Sequence, residues 1–209
     1  ETAIRFSLKT SVNNSFVAAI TSSGVSSGIV TAPLEGITHV KIKSRQDGGS
    51  YLAIYFSGPI RSAGGTAAAM AVIMADFLRQ LFGVGEWDPT ETEVERYIVE
   101  VDDYDHITNL QYRPSNDKLR YMLPRLPIEI NGEPTEKRDV LSYKDLPRVE
   151  TNKIRGGMCL TLCEGVASKS PKLYKRIKKY GKDYKLEKWE WLKNIKKQTQ
   201  TDESDAGVK

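Results

Sequence analysis

Three groups of residues have types and spacing that bear on chemistry. The first is the run Gly58-Pro59-Ile60-Arg61-Ser62-Ala63-Gly64-Gly65-Thr66. It is a glycine turn lying between a strand-like stretch and a helical one. Backbone N–H groups at a helix start, with Arg61 beside them, are the ingredients for holding a phosphate. The spacing departs from the nucleotide-binding G-x-x-x-x-G-K-[ST] pattern: the next glycine falls one position late, at Gly64, and Gly65 stands where the lysine belongs. G-x-G-x-x-G is absent as well, so a nucleotide-hydrolysing loop is disfavoured. Two readings stay open. One is a nest for a DNA or RNA phosphate. The other, which the composition favours, is a tight turn at Gly58, Gly64 and Gly65 that lets an alanine-rich helix pack against its own strand. Arg155-Gly156-Gly157 repeats the pattern at the start of a later helix. Arg61 and Arg155 are therefore both candidate nucleic-acid contacts, and Gly156 and Gly157 candidate structural glycines. The two turns are candidates for lying near one another.

The second group is Asp102, Asp103, Asp105 and His106. On a helix, residues two apart point about 200° from each other, so Asp103 and Asp105 do not readily share an ion. Asp102 with Asp105 or His106 is the geometry that would. A solvated face beside an apolar stripe is the favoured reading. Cys159 and Cys163 lie four apart, which is not a zinc-knuckle spacing, and no second pair exists. They read as small buried hydrophobes in a reduced, cytoplasmic setting. No G-x-S-x-G, H-E-x-x-H or kinase-type set is present. The sequence therefore offers no catalytic residue and no metal ligand set.

The third group is basic. The chain has 209 residues and a net charge of +4, but the charge is unevenly placed. Lys169 to Lys197 holds 12 Lys/Arg against Asp183, Glu187 and Glu190, a net +9, leaving −5 for the remainder. Lys172, Lys175, Arg176, Lys178, Lys179 and Lys182 fall within eleven residues. On a helix this spacing predicts cations on most faces of about three turns, a diffuse field aimed at a polyanion or an acidic partner surface.

The elements that must position these groups follow from the pattern. Ala3 to Ile20 has Ile4, Leu8, Val12 and Phe16 at helical spacing, and Thr21 to Gly28 reads as a Ser/Gly-rich turn. Ile37 to Lys43 and Tyr51 to Ser57 read as a β-hairpin closed by Asp47-Gly48-Gly49. Thr66 to Phe82 is an apolar, alanine-rich helix interrupted by Asp76 and Arg79, stopped by Gly83 and Gly85. Asp88 is the candidate N-cap of the next helix, with Pro89 at its first position. Ser115 to Met122 is a short helix ended by Pro124. Asn131-Gly132 predicts a second hairpin. Met158 to Lys179 is a helix that Pro171 kinks or restarts, and Lys185 to Lys197 continues it as a basic arm. Together these predict an α/β (α+β) domain over residues 1–168, with a small sheet and β-hairpins against several helices. A basic helical arm over 169–197 and a disordered tail over 198–209 follow.

Composition bounds the class. Charged residues make up 28% and the hydrophobic set 39%, as in a folded soluble protein. No apolar run reaches the roughly 18–20 residues that span a bilayer. Two cysteines exclude a disulfide scaffold. A start at Glu1, with no basic-then-apolar leader, is read as a fragment of a longer chain.

The run Tyr51-Leu-Ala-Ile-Tyr-Phe-Ser-Gly-Pro-Ile-Arg-Ser-Ala-Gly-Gly-Thr66 resembles a signature of the large-subunit family of archaeal DNA polymerase D, also called DNA polymerase II. Flanking pieces occur in the family's order: Ala32-Pro-Leu-Glu-Gly-Ile37, Glu95-Arg-Tyr97, Glu100-Val-Asp-Asp-Tyr104, Leu110-Gln-Tyr112 and Pro114-Ser115. Ile130-Asn-Gly-Glu-Pro-Thr135, Val149-Glu-Thr-Asn152, Ile154-Arg-Gly-Gly157, Glu164-Gly165 and Trp189-Glu-Trp-Leu192 complete the set. The resemblance covers about Glu1 to Lys197. It implies the N-terminal, KH-like accessory region of a much longer DNA-directed DNA polymerase subunit. That subunit pairs with a small subunit carrying a 3′–5′ exonuclease fold. Its magnesium-binding aspartates and zinc-binding cysteines lie in segments that this chain does not contain, so no cofactor is expected here. One departure stands out: a nucleic-acid-gripping KH domain uses a G-x-x-G loop, and none occurs in this sequence.

The expected function is therefore a non-catalytic scaffold of a cytoplasmic replicative polymerase, contacting DNA backbone or the small subunit, with no membrane partner. A stand-alone nucleic-acid-binding module is the alternative. A small phosphotransferase using the Gly58 to Thr66 loop is a third.

Overall fold

The computed structural model describes residues 36–180 and 186–195. The helix expected at Ala3–Ile20, the turn after it, Lys182, Lys185 and the tail lie outside the described residues.

The predicted hairpin forms. Strands β1 (Ile37–Ser44) and β2 (Ser50–Phe56) pair antiparallel, with Val40 opposite Ile54 and Ile42 opposite Leu52. In its turn Gly48 takes φ 82°, and the Asp47 carboxylate accepts the Gly49 N–H at 2.9 Å. Tyr51 to Phe56 are all buried, because β2 is the central strand. Strand β3 (Glu129–Gly132) pairs with its other edge, in parallel, with Ile54 opposite Ile130.

The second hairpin is corrected here. Asn131-Gly132 ends a parallel strand instead of making a turn. The Asn131 carboxamide is buried and bonded on both sides, accepting from Arg155 Nη1 at 2.7 Å and donating to Glu129 at 2.8 Å. Gly132 is needed for space: a Cβ there would lie 2.9 Å from the Met158 nitrogen and the Phe56 oxygen.

The crossover from β2 to β3 carries α1 (Ile60–Ala63), α2 (Gly65–Leu81), α3 (Glu91–Thr108) and α4 (Asn116–Met122). Ala68, Ala69, Ala71 and Ala75 make α2 thin enough for close approach by its neighbours. Thr90, not Asp88, caps α3. Its hydroxyl accepts the Glu93 N–H at 3.1 Å, and the Glu93 carboxylate accepts the Thr90 N–H at 2.8 Å. This reciprocal box satisfies two otherwise orphaned donors, which Asp88-Pro89 does not do. Asp88 instead accepts from Gln46 N and Arg148 Nη1.

After β3 come α5 (Gly156–Leu160), a π-helical stretch (Thr161–Ala167), α6 (Ser168–Tyr180) and a 3₁₀ helix (Glu187–Asn194). The helix runs on without a break from the π-helical stretch into α6, and Pro171 lies inside it, three residues after the change to α-helical pairing at Ser168. The basic stretch is a layer of the domain and not an appended arm. Leu173, Ile177, Leu186, Trp189, Leu192 and Ile195 join the same core as the sheet. Trp189 is 0% exposed and donates its indole N–H to Asp76 of α2 at 2.8 Å. A boundary between 168 and 169 therefore falls inside one packed unit.

Candidate nucleic-acid interface

The two Arg-plus-glycine turns do lie together. Gly157 has no room for a Cβ against the Phe56 carbonyl and the Ser57 nitrogen, just ahead of the Gly58 turn. Arg61, Gly64, Gly65, Leu160 and Glu164 line one small cavity of about 90 Å³. Gly64 has φ 78° and ψ 151°, a region only glycine occupies without strain. Gly65 is required for a different reason: its Cβ would collide with the Glu164 carbonyl. Gly156 packs against Tyr104 and Thr135, where a Cβ would lie 2.6 Å from the ring. Gly58 meets nothing within 4 Å and has no positive φ; neither reason for glycine applies to it. The place beside Arg61 that a phosphate would take is held by a carboxylate. Glu164 Oε1 lies 3.9 Å from Arg61 Nη2 and accepts the Gln111 N–H at 2.9 Å. A fixed negative charge there opposes an anion, so the geometry favours the packing role of these glycines.

Arg155 is corrected as a phosphate contact. It is 1% exposed, with Nε and Nη2 on Glu100 at 3.0 and 2.8 Å, Nη1 on Asn131 and its guanidinium 4.8 Å from the Tyr97 ring centre. Burial works against its charge, but the Glu100 carboxylate outweighs burial and holds the guanidinium well above the ordinary arginine value. Arg96 shares Glu100 at 3.2 Å and reaches the carbonyls of Tyr143 and Thr151. One buried carboxylate thus joins two arginines, β3 and the segment from 133 to 153.

The exposed cations sit on α6. Lys172, Lys175, Arg176, Lys178 and Lys179 are exposed, while Ser170, Leu173 and Ile177 face inward. At 100° per residue the five span an arc of about 160°, so the charge occupies one outward half of the helix and not most of its faces. Among the described residues no carboxylate lies within ion-pair distance of Lys172, Lys175, Arg176 or Lys178. The field they produce is directed outward.

The family model described as DNA polymerase II large subunit DP2, N-terminal, matches residues 6–198. The chain belongs to this family. It is 51% identical over 169 residues to the DNA polymerase II large subunit of Nanoarchaeum equitans, covering 80% of this chain and 14% of that protein. To the corresponding subunit of Methanothermobacter thermautotrophicus it is 50% identical over 182 residues, covering 87% of this chain and 16% of that one. The chain thus spans about a seventh of the length of these relatives.

Among the described residues no group of three or more His, Cys, Asp or Glu is placed to hold an ion. Asp102 pairs with Arg113, Asp103 accepts the Leu141 N–H and Asp105 the Leu110 N–H. Cys159 and Cys163 are buried, and burial pushes both thiols up, away from the thiolate that zinc requires. Among the described residues no helix is long and apolar enough to cross a membrane.

Sequence reasoning passed over Arg96, Glu100 and Glu164. A signal existed for the first two. They fall at i and i+4 on α3 with opposite charge, the spacing at which helix side chains meet, so each could be read as the other's partner.

Proposed function

We propose that this chain is the non-catalytic, KH-like N-terminal accessory region of the large subunit of an archaeal replicative DNA polymerase. In this reading the full subunit performs DNA-templated synthesis with magnesium, and holds its zinc, through residues beyond this chain. It pairs with a small subunit that supplies 3′–5′ exonuclease activity. This region is scaffold, and the outward face of α6 contacts the DNA backbone without reading sequence. The observation that carries the reading is the row Lys172, Lys175, Arg176 and Lys178, exposed and, among the described residues, without carboxylate partners. Backbone neutralisation needs charge and no fixed base-edge geometry, so such a row suits phosphates better than bases. The absence of a G-x-x-G loop and the carboxylate beside Arg61 argue against strand gripping at the glycine turn.

The test is primer extension by the full-length subunit, alone and with its small partner, beside the 209-residue chain. The full-length pair should extend the primer with magnesium and dNTPs; the 209-residue chain should incorporate nothing. Incorporation by the short chain, purified free of other polymerases, would overturn the assignment.

A further inference from the structure

Helix α6 carries an aromatic ring at the edge of its basic face. On the helical period Tyr174 stands about 40° from Lys178, on the side that turns toward Ile177. It is half-buried, packing in part against the core. Beyond this edge lies the 3₁₀ helix. Its Lys193 is exposed, pairs with Glu190 at 3.1 Å, and has the phenol groups of Tyr174 and Tyr121 within electrostatic range. Tyr121, near the end of α4, is also half-buried and packs in part against the core. Trp191 meets it edge-on, with ring centres 6.4 Å apart, and its hydroxyl accepts from Asn194 Nδ2 at 3.5 Å. The Arg125 guanidinium stands over the Tyr121 ring, 3.9 Å from its centre, and donates to the Tyr121 carbonyl at 2.7 Å. Arg125 is exposed, and among the described residues no carboxylate lies within ion-pair distance of it.

Cations alone do not distinguish one form of DNA from another, because duplex and single strand both carry phosphates. Aromatic rings do. In a duplex the base faces are stacked on each other, and a ring on the protein meets sugar and phosphate. In a single strand each base has a face to offer, and stacking it on a tyrosine or a guanidinium is favourable for every base. Here two tyrosines flank one lysine, one of the two carries an arginine, and both adjoin an outward row of cations. The rings are already fixed, Tyr174 by the core and Tyr121 by Trp191 and Arg125, so binding orders little that is free.

We propose that this strip binds single-stranded DNA, with the backbone along Lys175 and Lys178 and bases stacked on Tyr174 and on the Arg125–Tyr121 pair. The inference rests on the reading of α6 as a DNA face and adds which form of DNA that face takes. The 209-residue chain is titrated with oligo-dT, with an abasic strand of the same length and with a duplex of that length. Oligo-dT should bind roughly tenfold or more tightly than the abasic strand. Tyr174→Leu, which keeps apolar packing, and Arg125→Gln should each reduce that ratio several-fold, and Tyr174→Phe should retain it. Duplex affinity should be unchanged by Tyr174→Leu. If Tyr174→Leu does not fold, Arg125→Gln, at an exposed side chain, reads the same ratio. Equal binding of the two single strands by the parent, or a ratio that survives both substitutions, overturns the proposal and leaves backbone contact through α6 standing. No binding to any of the three DNAs overturns both.

Discussion

Glu100 accepts from both Nε and Nη2 of the Arg155 guanidinium, at 3.0 and 2.8 Å, across 55 residues of sequence, with the two side chains 0% and 1% exposed. The same carboxylate also accepts from Arg96. The three are not equivalent. Without Arg155, Glu100 keeps Arg96; without Glu100, two buried guanidinium groups lose their shared counter-charge. Breaking a buried pair from one side costs about 3–5 kcal/mol. Glu100→Gln is therefore expected at or above that range and Arg155→Met below it. Urea unfolding of both variants checks this, and an equal or reversed order would contradict the shared-carboxylate picture.

The glycines at the first turn separate by mechanism. Gly65→Ala drives a methyl group into the Glu164 carbonyl and should cost about 1–3 kcal/mol by overpacking. Gly64→Ala has open space but an L residue at φ 78°, ψ 151°, and strain of about 1–3 kcal/mol is expected. Gly58→Ala has neither problem and should stay within about 0.5 kcal/mol of the parent. Thermal midpoints for the three discriminate these causes. A destabilised Gly58→Ala would mean that the turn makes a demand the geometry does not reveal.

Trp189 closes over Asp76, whose carboxylate also holds Arg79 at 2.8 Å and Gln80 at 3.1 Å. Trp189→Phe keeps most of the ring volume but withdraws one donor from a buried carboxylate, so a loss of about 2 kcal/mol is expected. Trp189→Ala adds the cavity and should cost about 3–5 kcal/mol. If both were silent in urea unfolding, residues 187–195 would be peripheral to the fold.

The same pair shows what the sequence makes legible. Periodicity locates the hairpin, α2, α3 and α4, because each carries its own pattern over seven or more residues. The family signature is readable because it is an ordered set of local runs. Long-range partnership is not written locally. Asp76 interrupts an apolar helix, which signals a buried partner, but nothing names Trp189, 113 residues away. Asn131-Gly132 carries the local chemistry of a turn, and the parallel pairing with β2 overrides it. The basic stretch reads as a solvated arm because its lysines outnumber Leu173 and Ile177, yet those two side chains fix it to the core. Arg155 looks like Arg61 in sequence, and only Glu100 distinguishes them.

Acid should weaken one identifiable contact. Burial raises the Asp88 carboxyl, but the Gln46 N–H and Arg148 outweigh it and hold the group below the ordinary 3.8. A carboxyl depressed in the folded state adds stability that is complete above its unfolded pKa. That stability disappears as pH falls through the lower, folded value. The stability gap between the parent and Asp88→Asn should therefore be constant from neutral pH to about pH 5 and narrow below about pH 4. Urea midpoints at pH 7, 5 and 3 measure it, and a gap that does not narrow between pH 5 and pH 3 would remove the ionised carboxylate as its source.

The outward half of α6 gives the decisive test of DNA contact. If Lys172, Lys175, Arg176 and Lys178 neutralise phosphates, binding to duplex DNA should fall with salt, with a log–log slope of roughly 0.9 per contact. Replacing all four by Gln should flatten that slope by up to about 3–4 and weaken every sequence alike, since a field directed at phosphates carries no base readout. Their inward neighbours Leu173 and Ile177 stay in place, so the thermal midpoint should hardly move. The competing role is docking on an acidic face of the small subunit, and the same quadruple variant decides between them. Unchanged DNA affinity and slope, with small-subunit binding lost, would make this face an assembly element. Lost DNA affinity with an intact subunit complex would make it a backbone contact.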